Sequence, residues 1–173
     1  RATRKVSETL EDMLFGATSS LTYGGGTIYT YITHPDINTV SFSSAGEYWD
    51  DSTKTAAEIK DDVLAMKQAS IDDLHYGPWM LYIPTSYDCV MDNDYSVSGA
   101  SSMTIKERIE KISGIKGVKV VDRLPADTVL LVQMTSDTVD LVDGMPIQTV
   151  EWGSEGGFVN NFKVMTIQVP RVK

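Results

Sequence analysis

The sequence predicts an α+β fold, and three observations predict it. Residues 56–75 carry Ile59, Val63, Met66 and Leu74 along one side, and Thr55-Ala56-Ala57-Glu58 opens them with a capping-box pattern, so a long amphipathic helix is expected. Gly77-Pro78 stops that helix, because proline lacks the N–H and pushes its predecessor out of the α region. Residues 80–83, Met-Leu-Tyr-Ile, are an apolar run between Pro78 and Pro84. Such a run reads as a buried central strand, since an edge strand would alternate with polar residues.

Taken in order, the chain starts with a helix over residues 1–15. Val6, Leu10, Met13 and Leu14 share one face, and Gly16 is a plausible stop. Its basic residues come first and its acidic ones last, against the helix dipole, so the helix is expected to continue from sequence preceding Arg1. Gly24-Gly25-Gly26 is a turn before a β-branched and aromatic strand at 27–32. His34-Pro35-Asp36 is another turn, residues 38–43 suggest a second strand, and 44–55 read as polar, acidic and exposed. After the strand at 80–83, Thr85 or Ser86 is placed to cap a short helix over 87–91. Residues 92–103 are small and polar and read as a mobile loop. Thr104-Ile105-Lys106-Glu107 is a second capping box, and the helix it opens closes at Gly114. Strands are expected at 118–121 and 129–134 around the turn 123–127, with 139–142 folding back on the second as a hairpin. Two longer strands, 147–152 and 163–169, flank the turn 153–157.

Composition narrows the function classes. With 42% apolar and 23% charged residues, the chain of 173 residues reads as globular, and it can bury a sizeable core. The net charge of −9 disfavours tight binding to nucleic acid or anionic membrane, both of which need clustered Lys and Arg. Cys89 stands alone, so no intrachain disulfide or cysteine metal cluster can form, which suits a reducing compartment. No run approaches the roughly 20 apolar residues of a membrane span.

The patterns that resemble catalytic or ligand-binding motifs are incomplete. Ser86, His75 and Asp88 could be written as a triad, but no Gly-x-Ser-x-Gly elbow supports it. Asp92-Asn93-Asp94 lacks the glycine and distant Glu of a calcium loop. Gly24-Gly25-Gly26 lacks the Gly-Lys-Ser/Thr ending of a phosphate loop. Asp50-Asp51 and Asp61-Asp62 are neighbours whose side chains point apart. Trp49, Trp79 and Trp152 read as packing residues. No catalytic residue, cofactor or metal is expected.

Four segments carry a family likeness: 4–16; 61–84 with Gly77-Pro78-Trp79-Met80; 112–132 with Ser113-Gly114-Ile115-Lys116-Gly117; and 150–167 with Val150-Glu151-Trp152. In order and spacing the chain resembles the major capsid proteins of tailed bacteriophages with the HK97 fold, in the branch close to encapsulin shell proteins. The resemblance implies a peripheral domain, with spine helix and long strands, from residues 1–55 plus 147–173. It implies an axial domain with a central mixed sheet from 77–146, and a junction helix at 56–76. The family's N-terminal arm and long hairpin precede the spine helix and lie outside this sequence. Some members crosslink through a Lys on that hairpin and an Asn near the C-terminal strands; Asn160 and Asn161 lie in that region, and the role is not assigned to them.

The implied function is that of a structural shell subunit, not an enzyme. Its partners would be copies of itself, in pentamers and hexamers of an icosahedral shell, and encapsidated DNA held non-specifically, with scaffold or portal proteins besides and no membrane. The implied location is the virion capsid, assembled in the cytoplasm of a bacterial host. The alternative is an encapsulin-type compartment packaging an enzyme. The loop 92–103 and the turn 122–127 are expected to meet neighbouring subunits, through Asp92, Asp94, Tyr95, Arg123 and Leu124.

Overall fold

The structure, a computed structural model, describes residues 2–16, 21–42, 48–95 and 103–173. They belong to two compact units: residues 1–34 with 140–173, and Pro35–Val139. The second unit therefore takes in residues 35–55, and the first takes in 140–146.

In the first unit, the amphipathic pattern forms helix α1, Ala2–Phe15. Strands β1, Leu21–Tyr23, and β2, Gly26–Ile28, pair antiparallel. Gly24 and Gly25, with φ of 60° and 84°, make the two-residue turn, since only glycine takes two successive positive φ values cheaply. The strand expected at 27–32 ends at Ile28. Buried Thr30 turns the chain instead: its hydroxyl accepts from the N–H groups of Ile32 and Thr33, and Thr33 Oγ1 accepts from the Thr30 N–H. Threonine hydroxyls here outcompete a strand ladder for the backbone.

In the second unit, the capping box at Thr55 opens helix α2, Ala56–Asp72. Thr55 Oγ1 accepts from the Glu58 N–H at 3.3 Å, and Glu58 Oε2 accepts from the Thr55 N–H at 2.7 Å. The helix ends three residues before its expected limit. Leu74 takes φ of 65°, and the His75 and Leu74 N–H groups donate to the Ser70 and Ile71 carbonyls. That is the geometry of a glycine-type helix terminus built with leucine.

Strand β3, Trp79–Pro84, follows. Neither Thr85 nor Ser86 caps what comes next: a 3₁₀ turn, Thr85–Tyr87, runs straight into helix α3, Asp88–Met91. The Thr104 capping box opens helix α4, Ile105–Glu110. Strand β4, Ile115–Val121, lies parallel to β3, and strand β5, Leu130–Gln133, lies antiparallel to it, so β3 is the central strand of a mixed sheet. Leu81 sits opposite both Val118 and Leu131. Burial alternates along most of β3: Trp79, Leu81 and Ile83 are buried, whereas Met80 and Tyr82 are partly exposed. One face of the sheet is covered, where the apolar run suggested two. The core joins Leu81 and Ile83 to Trp49, Ile59, Val63, Tyr87, Met91, Ile105 and Ile109.

Other expectations need correction. Residues 38–42 form no strand; the Asn38 amide donates instead to Asp73 Oδ2 and the Ala69 carbonyl. The stretch 44–55 is not uniformly exposed, because Trp49 and Lys54 are buried; residues 44–47 lie outside the described residues. Residues 139–142 do not fold back on β5. A turn at 135–138, closed by the Thr138 and Val139 N–H groups on the Thr135 carbonyl, leads into strand β6, Val139–Ser154, of the first unit. Strand β7, Val159–Val172, pairs with β6, and no other strand among the described residues joins them.

Candidate interaction surface

The β6–β7 ribbon is a long hairpin whose side chains sort onto two faces. Arg171 Nη2 donates to Asp140 Oδ2 at 2.6 Å, and Asn161 Nδ2 to Ser154 Oγ at 3.0 Å. A Cβ on Gly144 would meet Ile167 Cγ2 at 3.3 Å. All three contacts join an even position of β6 to an odd one of β7. One face therefore carries Val142, Val150 and Trp152 with Val159, Ile167 and Val169, by the period-two rule of strands. Every one of these six apolar residues is exposed. The opposite face is covered in part, where α1 packs against β7 and Val164, Thr166, Gln168 and Pro170 are half-buried or buried. Beyond α1 it too leaves Ile147 and Phe162 exposed.

Trp152 is 48% exposed, against 1% for Trp49 and 3% for Trp79, so the reading of all three as packing residues fails for Trp152 within a single chain. Phe158, at the hairpin end, is 93% exposed. Contiguous apolar surface of this kind marks an interaction site. Among the described residues neither outer edge of the ribbon pairs with another strand, and a two-stranded ribbon on its own is marginally stable.

The charges on the two faces differ in sign. The open face holds Asp140, paired with Arg171 and 4.0 Å from Lys173, and Lys163, which makes no ion pair among the described residues. Asp143 and Glu151 are on the opposite face, by the same alternation.

The residues singled out from the sequence lie in the second unit. Asp92, Asp94 and Arg123 are exposed, and Tyr95 is half-buried with the Arg108 guanidinium 5.7 Å from its ring centre. Leu124 is 5% exposed, so its side chain belongs to the chain's own interior. The base of the loop 92–103 is closed by the Asp94–Thr104 bridge and by the Tyr95 N–H donating to the Met103 carbonyl at 2.7 Å; residues 96–102 lie outside the described residues. The turn 122–127 is tied inward, since the buried Tyr87 hydroxyl donates to Asp127 Oδ1 at 3.1 Å. Burial, and then Asp127, push the Tyr87 hydroxyl well above its ordinary pKa.

One polar cluster escaped the sequence reading. Asp62 Oδ2 accepts from Trp49 Nε1 at 2.9 Å and sits 3.0 Å from Lys54 Nζ, and the Lys54 and Asp62 side chains are both buried. A signal for it existed: Asp62 falls three after Ile59 and beside Val63, on the apolar side of its helix. An open cleft of roughly 300 Å³ lies alongside, lined by Asp50, Asp51, Ser52 and Asn93 among others. No hydrogen bond joins Ser86, His75 and Asp88 among the described residues, and no group of three acidic, His or Cys side chains there could hold a metal ion. No helix among them is long and apolar enough to cross a membrane.

Residues 1–153 match a sequence family described as a family of unknown function, DUF6260. The chain belongs to DUF6260. Comparison with curated proteins gives no match. Among solved structures, the fold is similar to that of a virus-like particle from Pyrococcus furiosus, with a TM-score of 0.63 and 23% identity over 82% of this chain. The chain spans 54% of the length of that protein. This member of DUF6260 thus shares a mixed α+β fold with the chain of that virus-like particle.

Proposed function

We propose that the protein is the structural subunit of a tailed-phage or prophage capsid of the HK97 type, which self-assembles around double-stranded DNA. The observation that carries the reading is the apolar ribbon, bare on a subunit whose fold resembles that of a virus-like particle. A protein that works by assembly needs such surface, and a solitary enzyme does not. In this reading the unit of residues 1–34 with 140–173 acts as the peripheral part and Pro35–Val139, which includes α2, as the axial part, so the peripheral part is shorter at 35–55 and longer at 140–146 than the sequence suggested. Asp92, Asp94, Tyr95 and Arg123 meet neighbours around a symmetry axis, and buried Leu124 anchors its turn. Pentamers and hexamers of the subunit make up the shell, in the host cytoplasm, and no catalytic step is assigned. The net charge of −9 fits DNA held loosely, because a strongly basic lining would bind phosphate hard.

Purified particles of the full-length protein test this. Nuclease-resistant double-stranded DNA inside them is the expected result. Particles holding one co-purifying protein and no DNA would replace the capsid with an encapsulin-type compartment. A protein that forms no particles would contradict both. Reversing Asp92 and Asp94 to Lys should lower particle yield with subunit unfolding nearly unchanged, since exposed charges contribute little to stability.

A further inference from the structure

The two faces of the ribbon are complementary to each other. The open face is apolar and carries Lys163 as its unpaired charge; the opposite face, beyond the part α1 covers, offers Ile147 and Phe162 with Glu151. Neither Lys163 nor Glu151 makes an ion pair among the described residues, and alternation puts them on opposite faces of one ribbon, so they cannot satisfy each other within a chain.

We propose that the open face of the ribbon takes the opposite face of the same ribbon from a second copy, head to tail, with Lys163 of one copy set against Glu151 of the next. The inference rests on the shell reading and names one of its contacts. Charge selects the occupant. The unit made of residues 1–34 and 140–173 has seven acidic and six basic residues, whereas Pro35–Val139 has seventeen and nine. Ribbon against ribbon thus brings together the nearly neutral parts of two copies. Open face against open face would set Lys163 against Lys163, a like-charge contact. Open face against opposite face pairs unlike charges and covers apolar residues on both sides. A contact of this kind is heterologous: each copy gives one face and receives another, so it repeats around a ring, as a shell requires.

A charge exchange in the full-length protein tests the contact, with particle yield read by sedimentation. Lys163→Glu alone and Glu151→Lys alone should each lower the yield about tenfold, and the double exchange should restore it to within about twofold of the parent. Both residues are surface charges, so unfolding of the unassembled subunit should not move. A second measurement is independent of yield. In a Cys89→Ser background, oxidising a mixture of Lys163→Cys and Glu151→Cys proteins should give mixed 151–163 dimers. If the parent assembles but the single variants assemble as well as it does, the contact is overturned. The same holds if the double exchange fares no better than the singles, or if only 151–151 and 163–163 dimers form. A parent that stays monomeric overturns the shell reading itself.

Discussion

Leu74 takes φ of 65° at the end of α2 and is 74% exposed. A non-glycine residue in the left-handed region stores about 1–3 kcal/mol, and a solvent-facing side chain returns little of it. Leu74→Gly should therefore raise the unfolding free energy by about 0.5–1 kcal/mol in denaturant titration, once the extra chain entropy of glycine is deducted. The sequence does not announce this site, because a helix stop is written there as Gly77-Pro78 and not as leucine. Tyr87 gives a pH signature. Its hydroxyl is held above the ordinary value of 10.0 in the folded state. Above about pH 10 the unfolded chain loses that proton while the folded chain keeps it, so stability falls as pH rises. Tyr87→Phe should cost about 1–2 kcal/mol at pH 7 through the lost bond to Asp127 and flatten the fall between about pH 10 and 11. The burial of Lys54, Asp62 and Trp49 was hidden for a related reason. Their local sequence is polar, and only the position of Asp62 on an apolar helix face hints that the polar groups satisfy one another.

Among the elements, those closed by local chemistry were legible. Both capping boxes form at Thr55 and Thr104, α1 covers the expected residues, and β3 lies at the centre of its sheet. Elements that depend on distant partners were not legible. Residues 139–142 have a turn before them and could pair with β5, but β7, some thirty residues on, takes them instead. Residues 29–32 have the composition of a strand, yet a threonine hydroxyl turns the chain. The start of β4 shows how closely the sheet is fitted: Gly114 has φ of 90°, and a Cβ there would lie 2.6 Å from the Trp79 ring. Gly114→Ala combines backbone strain with that clash, and thermal unfolding should register a loss of at least about 2 kcal/mol. The two strands of the ribbon were legible on either side of their turn. Their bare apolar faces were not, because a strand apolar on both sides reads from sequence as buried.

At the scale of the whole molecule, a fold shared with a virus-like particle carries a ribbon left apolar on the surface. Trp152 reports on that ribbon. Trp49 and Trp79 are already buried, so assembly should shift tryptophan emission to shorter wavelength mainly through Trp152, and Trp152→Phe should abolish most of the shift. The central claim is that copies of this chain close into a shell. Electron cryo-microscopy of the purified full-length protein tests it most directly. The account predicts closed hollow particles with the β6–β7 ribbon buried between adjacent subunits; particles absent at every concentration, or a ribbon left facing solvent in those that form, would contradict it.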